Sequence, residues 1–267
     1  MTAESTAESS PLSPGEKVAP ASKSPKGKRF PRFFDPYERL VLGSLIIVLI
    51  CGWAFVALSS RVMQGSTQSV DERILLALRS SDDISDPIGS ARLEEIGRDL
   101  TALGGYAFLI LLMVGVTTYL FLAGKEQMGY FLIASVVSGF IVAMSLKGFF
   151  QRPRPEVVPH HSYVSTSSFP SGHSMMSMIV FLTMGVLLAR ISKQRKLKLY
   201  SISVAVLLSI LIGCSRVYVG VHYPTDVLAG WTAGVMWATL SCLIASILER
   251  RGVIGLHEPA QSRKMKK

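Results

Sequence analysis

Apolar residues in this chain do not alternate with polar ones; they run together. Six stretches, at about 40–60, 104–123, 129–150, 172–190, 199–217 and 225–247, are almost free of charge. A run of roughly 20 apolar residues, wound as helix, spans the ~30 Å of hydrocarbon in a bilayer. None of the six shows a period of two, which argues against a transmembrane β-barrel. The pattern predicts an all-α polytopic membrane protein with six transmembrane helices. Between the first two stretches, Ile74, Leu75 and Leu78, then Leu93, Ile96, Leu100 and Leu103, recur at helical spacing. Asp82, Asp83, Asp86 and Pro87 separate them. Two amphipathic segments are expected there, lying along the outer membrane boundary or capping the bundle. Gly104-Gly105 opens the second stretch, and Gly124 to Gly129 reads as a tight turn.

Composition agrees with this reading: 49% of the 267 residues are hydrophobic and 17% charged, against about a quarter charged in soluble domains. The formal net charge of +10 is unevenly placed. Basic residues cluster at Lys17, Lys23, Lys26, Lys28, Arg29 and Arg32, and at Arg190, Lys193, Arg195, Lys196 and Lys198. A third cluster holds Arg250, Arg251, Arg263, Lys264, Lys266 and Lys267. With six spans all three clusters fall on one side, which the positive-inside rule makes the cytoplasm. They read as topology signals touching anionic lipid headgroups, not as a nucleic-acid surface. The expected layout is a disordered basic cytoplasmic tail (1–37), a six-helix membrane domain (38–249) and a second basic cytoplasmic tail (250–267). The first span is read as a retained anchor, being longer than a signal-peptide core. Cys51, Cys214 and Cys242 show neither metal-ligand spacing nor a disulfide framework.

This topology sends the ends of the last four spans that carry unusual polar residues to the external side. Lys147 lies one turn from the end of the third span; alone, it would be read as snorkelling to the interface. Arg154 follows between two prolines, and Arg152 has a similar setting, so one of the two arginines is expected to be idle. Pro170-Ser171-Gly172-His173 starts the fourth span. A helix N-terminus there favours an anion through its dipole and unpaired N–H groups. His173 should stay neutral until an anion binds. Arg216 and His222 follow the fifth span. Asp226, four residues beyond His222, can accept from its Nδ1 and leave Nε2 free; a purely structural Asp–His cap is the plain alternative. Together these are three cations, a helix N-terminus and two histidines, one backed by a carboxylate. Converging cations call for a multiply charged anion, most simply phosphate. No Asp/Glu cluster suggests a Mg²⁺ site, and His160 and His161 read as loop residues. A nucleophile and an acid flanking a phosphate would permit phosphoryl transfer.

Lys147-x6-Arg154-Pro155, Pro170-Ser171-Gly172-His173 and Ser215-Arg216-x5-His222-x3-Asp226 resemble the three-part signature of the type 2 phosphatidic acid phosphatase superfamily. These are integral-membrane lipid phosphate phosphatases related in fold to vanadium haloperoxidases. The motif spacing selects Arg154 over Arg152. The resemblance implies hydrolysis with no metal or other cofactor, through a phosphohistidine, and the topology read from the basic clusters puts this reaction at the outer face of a bacterial plasma membrane. It implies that His222 attacks phosphorus, Asp226 supports it, and His173 protonates the leaving oxygen and then helps activate water. Lys147, Arg154, Arg216, Ser171 and Gly172 would hold the phosphoryl oxygens. The substrates it suggests are undecaprenyl pyrophosphate, lipid A phosphate, phosphatidylglycerol phosphate and phosphatidic acid, the outward-facing site favouring the first two. Three other readings compete with hydrolysis: transfer of the phosphoryl group to a lipid acceptor, a non-enzymatic lipid- or anion-binding protein, and a serine hydrolase using Ser171. The last lacks a nucleophile-elbow pattern. The signature reads the phosphate and leaves both lipid and oligomeric state open.

Overall fold

Long apolar runs with few breakers form helices, and the computed structural model, which describes residues 35–158 and 167–256, is built from eight of them. They are α1 (Pro36–Met63), α2 (Gln68–Ala77), α3 (Ala91–Leu103), α4 (Tyr106–Leu122), α5 (Glu126–Phe150), α6 (Gly172–Ile191), α7 (Arg195–Tyr218) and α8 (Pro224–Arg250). No strand occurs among the described residues, where Arg79 and Pro87 form an isolated bridge. The expected N-terminal tail up to residue 34, His160, His161, and the basic residues from 257 onward lie outside the described residues.

Five helices, α1, α5, α6, α7 and α8, are long and apolar enough to cross a membrane. The predicted second span differs in form. Its helix α4 has 17 residues, and it joins α3 through a bend of 53°, the pair together reaching the criteria for a sixth span. Gly104-Gly105 makes the bend. A side chain on Gly104 would run into Ile212 of α7 and come within 3.2 Å of His173 Cδ2. The corner of the bent pair is thus pressed against the start of α6.

The most enclosed helix is α6, with 67% of its apolar window buried. It packs against α5, α7 and α8, while α1 leans on α8. Small residues allow the α6–α8 contact. A Cβ on Gly230 would lie 2.7 Å from the Ser171 carbonyl oxygen, and one on Gly234 would lie 2.7 Å from Met178 Cβ. The two glycines therefore serve packing inside one bundle.

The segments α2 and α3 cap the end of the bundle where α5 ends and α6 begins. Leu75 of α2 is fully buried with Val217, Tyr223 and Val227, and α3 packs on α7, with Gly97 against the Tyr218 ring. Ile74, Leu93 and Ile96 remain exposed on their outer faces. At the same end, three aromatic rings anchor the chain after α5. Phe150 and Phe169 meet edge-on at 4.9 Å, and Phe55 of α1 lies 5.9 Å from Phe169. Ser168 N–H then donates to the Arg152 carbonyl at 2.8 Å, so both ends of the loop between α5 and α6 are pinned together.

Candidate active site

Each predicted site residue comes from this end of the bundle: Lys147 and Arg154 from α5 and the loop after it, Ser171, Gly172 and His173 from α6, Arg216 from α7, and His222 and Asp226 from the α7–α8 junction. Lys147 does not snorkel. It is buried, and its Nζ donates to the Ser167 carbonyl at 2.6 Å. Its Cε also lies 3.2 Å from where a Cβ on Gly172 would be, with the Tyr106 hydroxyl at 2.9 Å. A larger residue at 172 would push on the Tyr106 hydroxyl and crowd the lysine stem. Tyr106 carries no motif, but its place at the N-terminus of α4, just after the Gly-Gly corner, brings its ring to 6.2 Å from that of His173.

His222 is 2% exposed. Arg154 donates to the Val221 carbonyl at 2.8 Å, and its Nη1 lies 3.4 Å from His222 Nε2. Since arginine can only donate, this contact suits a ring whose Nε2 carries a lone pair. On the other side of the ring, Nδ1 is 3.5 Å from Asp226 Oδ2 and 3.3 Å from Ser168 Oγ. Ser168 gives its own proton to Asp226 Oδ2 at 2.5 Å. The expected His222–Asp226 contact is present but long, and a buried serine shares it: Nδ1–H donates to Ser168 Oγ, which donates onward to the carboxylate. Burial, reinforced by Arg154 and Arg216 and opposed by Asp226, pushes the pKa of His222 down to about 3. Burial also lowers the pKa of Arg154, which Asp226 partly restores.

Asp226 is fully buried, at the first turn of α8. The Tyr223 N–H donates to it at 3.0 Å, and Arg152 Nη1 at 2.6 Å. Arg152 is therefore not idle. It is buried, bonded to four polar side chains and stacked 4.2 Å from the centre of the Tyr223 ring. Sequence spacing selected Arg154 as the motif arginine; it carried no sign that Arg152 turns toward Asp71 and Asp226. Ser168 was missed as well, though it stands two residues before the Pro-Ser-Gly-His turn.

Arg216 is 6% exposed, and its Nε has no hydrogen-bond partner among the described residues. Buried donors are normally paired, so this atom marks a place for an acceptor. His173 is near enough to Arg216, Lys147 and Arg154 to feel the charge of each, and His222 lies close to it as well. Ser171 is buried; its N–H donates to the Asp226 carbonyl at 2.9 Å, and its Oγ accepts from Ser174 at 3.0 Å. The start of α6 is thereby fastened to α8, while the next N–H groups of its first turn have no partner within the helix. The arrangement is a cluster of positive charge around two imidazoles, one of them backed by a carboxylate.

Residues 128–249 match the PAP2 superfamily. Phosphatidylglycerophosphatase B of Bacillus subtilis is 32% identical over 186 residues, covering 68% of this chain and 86% of that protein. Lipid A 1-phosphatase of Rhizobium etli is 28% identical over 189 residues, covering 59% of this chain and 75% of that protein. The crystal structure of a transmembrane PAP2 type phosphatidylglycerolphosphate phosphatase from Bacillus subtilis superposes with a TM-score of 0.69 at 28% identity. It covers 76% of this chain and 98% of that one. In sequence and in fold, the chain belongs to the PAP2 superfamily and is an integral-membrane phosphatase of that family.

Proposed function

We propose that the protein hydrolyses a lipid phosphate or lipid diphosphate at the outer face of a bacterial plasma membrane, through a phosphohistidine on His222 and without a metal. The observation that carries this reading is the state of His222: Nδ1 is backed by Ser168 and Asp226, and Nε2 lies beside Arg154. In the first step the Nε2 lone pair forms a bond to phosphorus, and the bond from phosphorus to the lipid oxygen breaks. His173 gives that oxygen its proton, having become an acid once the phosphate brings negative charge among the cations. In the second step water attacks phosphorus, the N–P bond breaks, His173 takes the proton, and phosphate leaves. Lys147, Arg154, Arg216 and the first turn of α6 hold the phosphoryl oxygens, with Arg216 Nε as a ready donor. Fixed donors of this kind stabilise charge in the transition state without having to reorganise.

The relatives named above act on phosphatidylglycerophosphate and on the 1-phosphate of lipid A; an undecaprenyl-diphosphatase of Sulfolobus acidocaldarius is also similar, at 30% identity over 126 residues. The substrate class proposed here is the chemistry they share, a phosphate or diphosphate on a membrane lipid. Purified protein given a panel of such lipids should release inorganic phosphate in the presence of EDTA. Rapid quenching with a radiolabelled substrate should trap an acid-labile phosphoenzyme that His222→Gln lacks. Turnover by His222→Gln at the wild-type rate would falsify the mechanism, and a labelled lipid product in place of free phosphate would make the protein a transferase.

A further inference from the structure

Asp71 is an acidic residue of the external segment, fully buried at 0% exposure, and it lies outside the residues that match the family. An ionised carboxylate in such a place must be paired, because stripping it of water is costly. Its partners all belong to the active-site end of the bundle. Oδ1 accepts the Thr225 N–H at 3.1 Å, and Oδ2 accepts the Thr225 hydroxyl at 2.6 Å and Arg152 Nη2 at 2.9 Å. Thr225 Oγ1 in turn accepts from Arg152 Nη1 at 2.9 Å, and that same nitrogen donates to Asp226 Oδ1 at 2.6 Å. One turn earlier on α2, Gln68 accepts from Arg152 Nη2 at 3.2 Å and donates to the Tyr223 hydroxyl at 3.0 Å.

We infer that Asp71 is a positioning residue for catalysis: through Arg152 and Thr225 it fixes the carboxylate of Asp226, and through Asp226 and Ser168 it fixes the His222 ring. The inference rests on the proposed role of His222. Two features separate this from a general packing contact. Both carboxylates grip the same guanidinium, one through each terminal nitrogen, so the plane of Arg152 sets where Asp226 Oδ1 lies. Asp71 also bonds both the backbone N–H and the hydroxyl of Thr225, the residue immediately before Asp226, so it fixes the first turn of α8. Without Asp71, Arg152 keeps one carboxylate partner of the two, with Gln68 as the sole remaining acceptor at Nη2, and its plane is held less firmly against Asp226. The carboxylate would follow, and Nε2 would drift from the line of attack. A misplacement of about 1 Å costs up to about 100-fold in rate.

Three variants of the full-length protein decide the matter: Asp71→Asn, Asp226→Asn and the double change, assayed for kcat and KM with one lipid phosphate. The expected result for Asp71→Asn is a kcat lower by about 10- to 100-fold with KM within about twofold, the signature of a group that acts on the transition state and not on substrate binding. The double variant should be no slower than Asp226→Asn alone, because the path from Asp71 runs through that carboxylate. A merely structural role would lower the rate equally in both backgrounds. Asp71→Asn at a wild-type kcat, or losses that multiply in the double variant, would overturn the inference while a slow Asp226→Asn still supported the site. Asp226→Asn at the wild-type rate would overturn both. Where Asp71→Asn does not accumulate in the membrane, Thr225→Val keeps the volume, removes the hydroxyl and is scored by the same criteria.

Discussion

His222 carries the sharpest expectation about protonation. Burial lowers its pKa most, the guanidinium groups of Arg154 and Arg216 add to this, and the value reached is about 3, against roughly 6.5 for an exposed ring. A ring so depressed is neutral at neutral pH and stays neutral on acidification to about pH 5, where an exposed histidine is charged. Its nitrogen NMR signals should therefore hold still over that range, and movement centred near 6.5 would show a ring open to water. Any loss of activity between roughly pH 7 and 5 then belongs to another group; the phosphate of the substrate, with a second ionisation near 6, is one. At this scale the motif residues were legible because their spacing is fixed along the chain. Arg152 was not: its anionic partner Asp71 is 81 positions away, and nothing local separates two arginines that both flank Pro153. Ser168 was equally silent, since a serine before a turn is common and its partner Asp226 lies 58 positions on.

Elements were easier to read than their contacts. All six apolar stretches became helices, and the two amphipathic segments became α2 and α3. Periodicity could not reveal that α3 and α4 form one bent unit, because the bend follows from the closeness of Gly104 to α7 and α6. The partner of the glycine face on α8 was also hidden, since a pair of glycines four apart serves a contact within a bundle as well as one between copies. In the structure that face receives α6, and the same contact sets the Ser171-to-Asp226 backbone bond. Gly230→Val should force the two helices apart near this bond. Overpacking of this kind costs about 1–3 kcal/mol, so thermal inactivation in detergent should come at a lower temperature and kcat should fall with it. Unchanged stability would mean that α8 shifts without strain.

The whole molecule has two chemically different ends. The site gathers at the end capped by α2 and α3, whereas Arg190, Lys198 and Arg250 line a cavity of about 780 Å³ at the other. On the positive-inside rule the first end is expected to be external. In a variant stripped of Cys51, Cys214 and Cys242, Ser81→Cys should react with a membrane-impermeant maleimide on intact cells, and Lys193→Cys only after permeabilisation. The opposite pattern would place the site in the cytoplasm. One further consequence follows from the grouping of Lys147, Arg216 and His173 at helix ends. A lipid can present its head to these groups while its tail stays in hydrocarbon, so cleavage delivers two fragments to two phases. The alcohol diffuses away in the plane of the leaflet, and the ion departs into water and is diluted there. Resynthesis would require both to return at once, which gives turnover a direction and leaves inorganic phosphate, arriving from the aqueous side alone, as the product able to compete with the lipid.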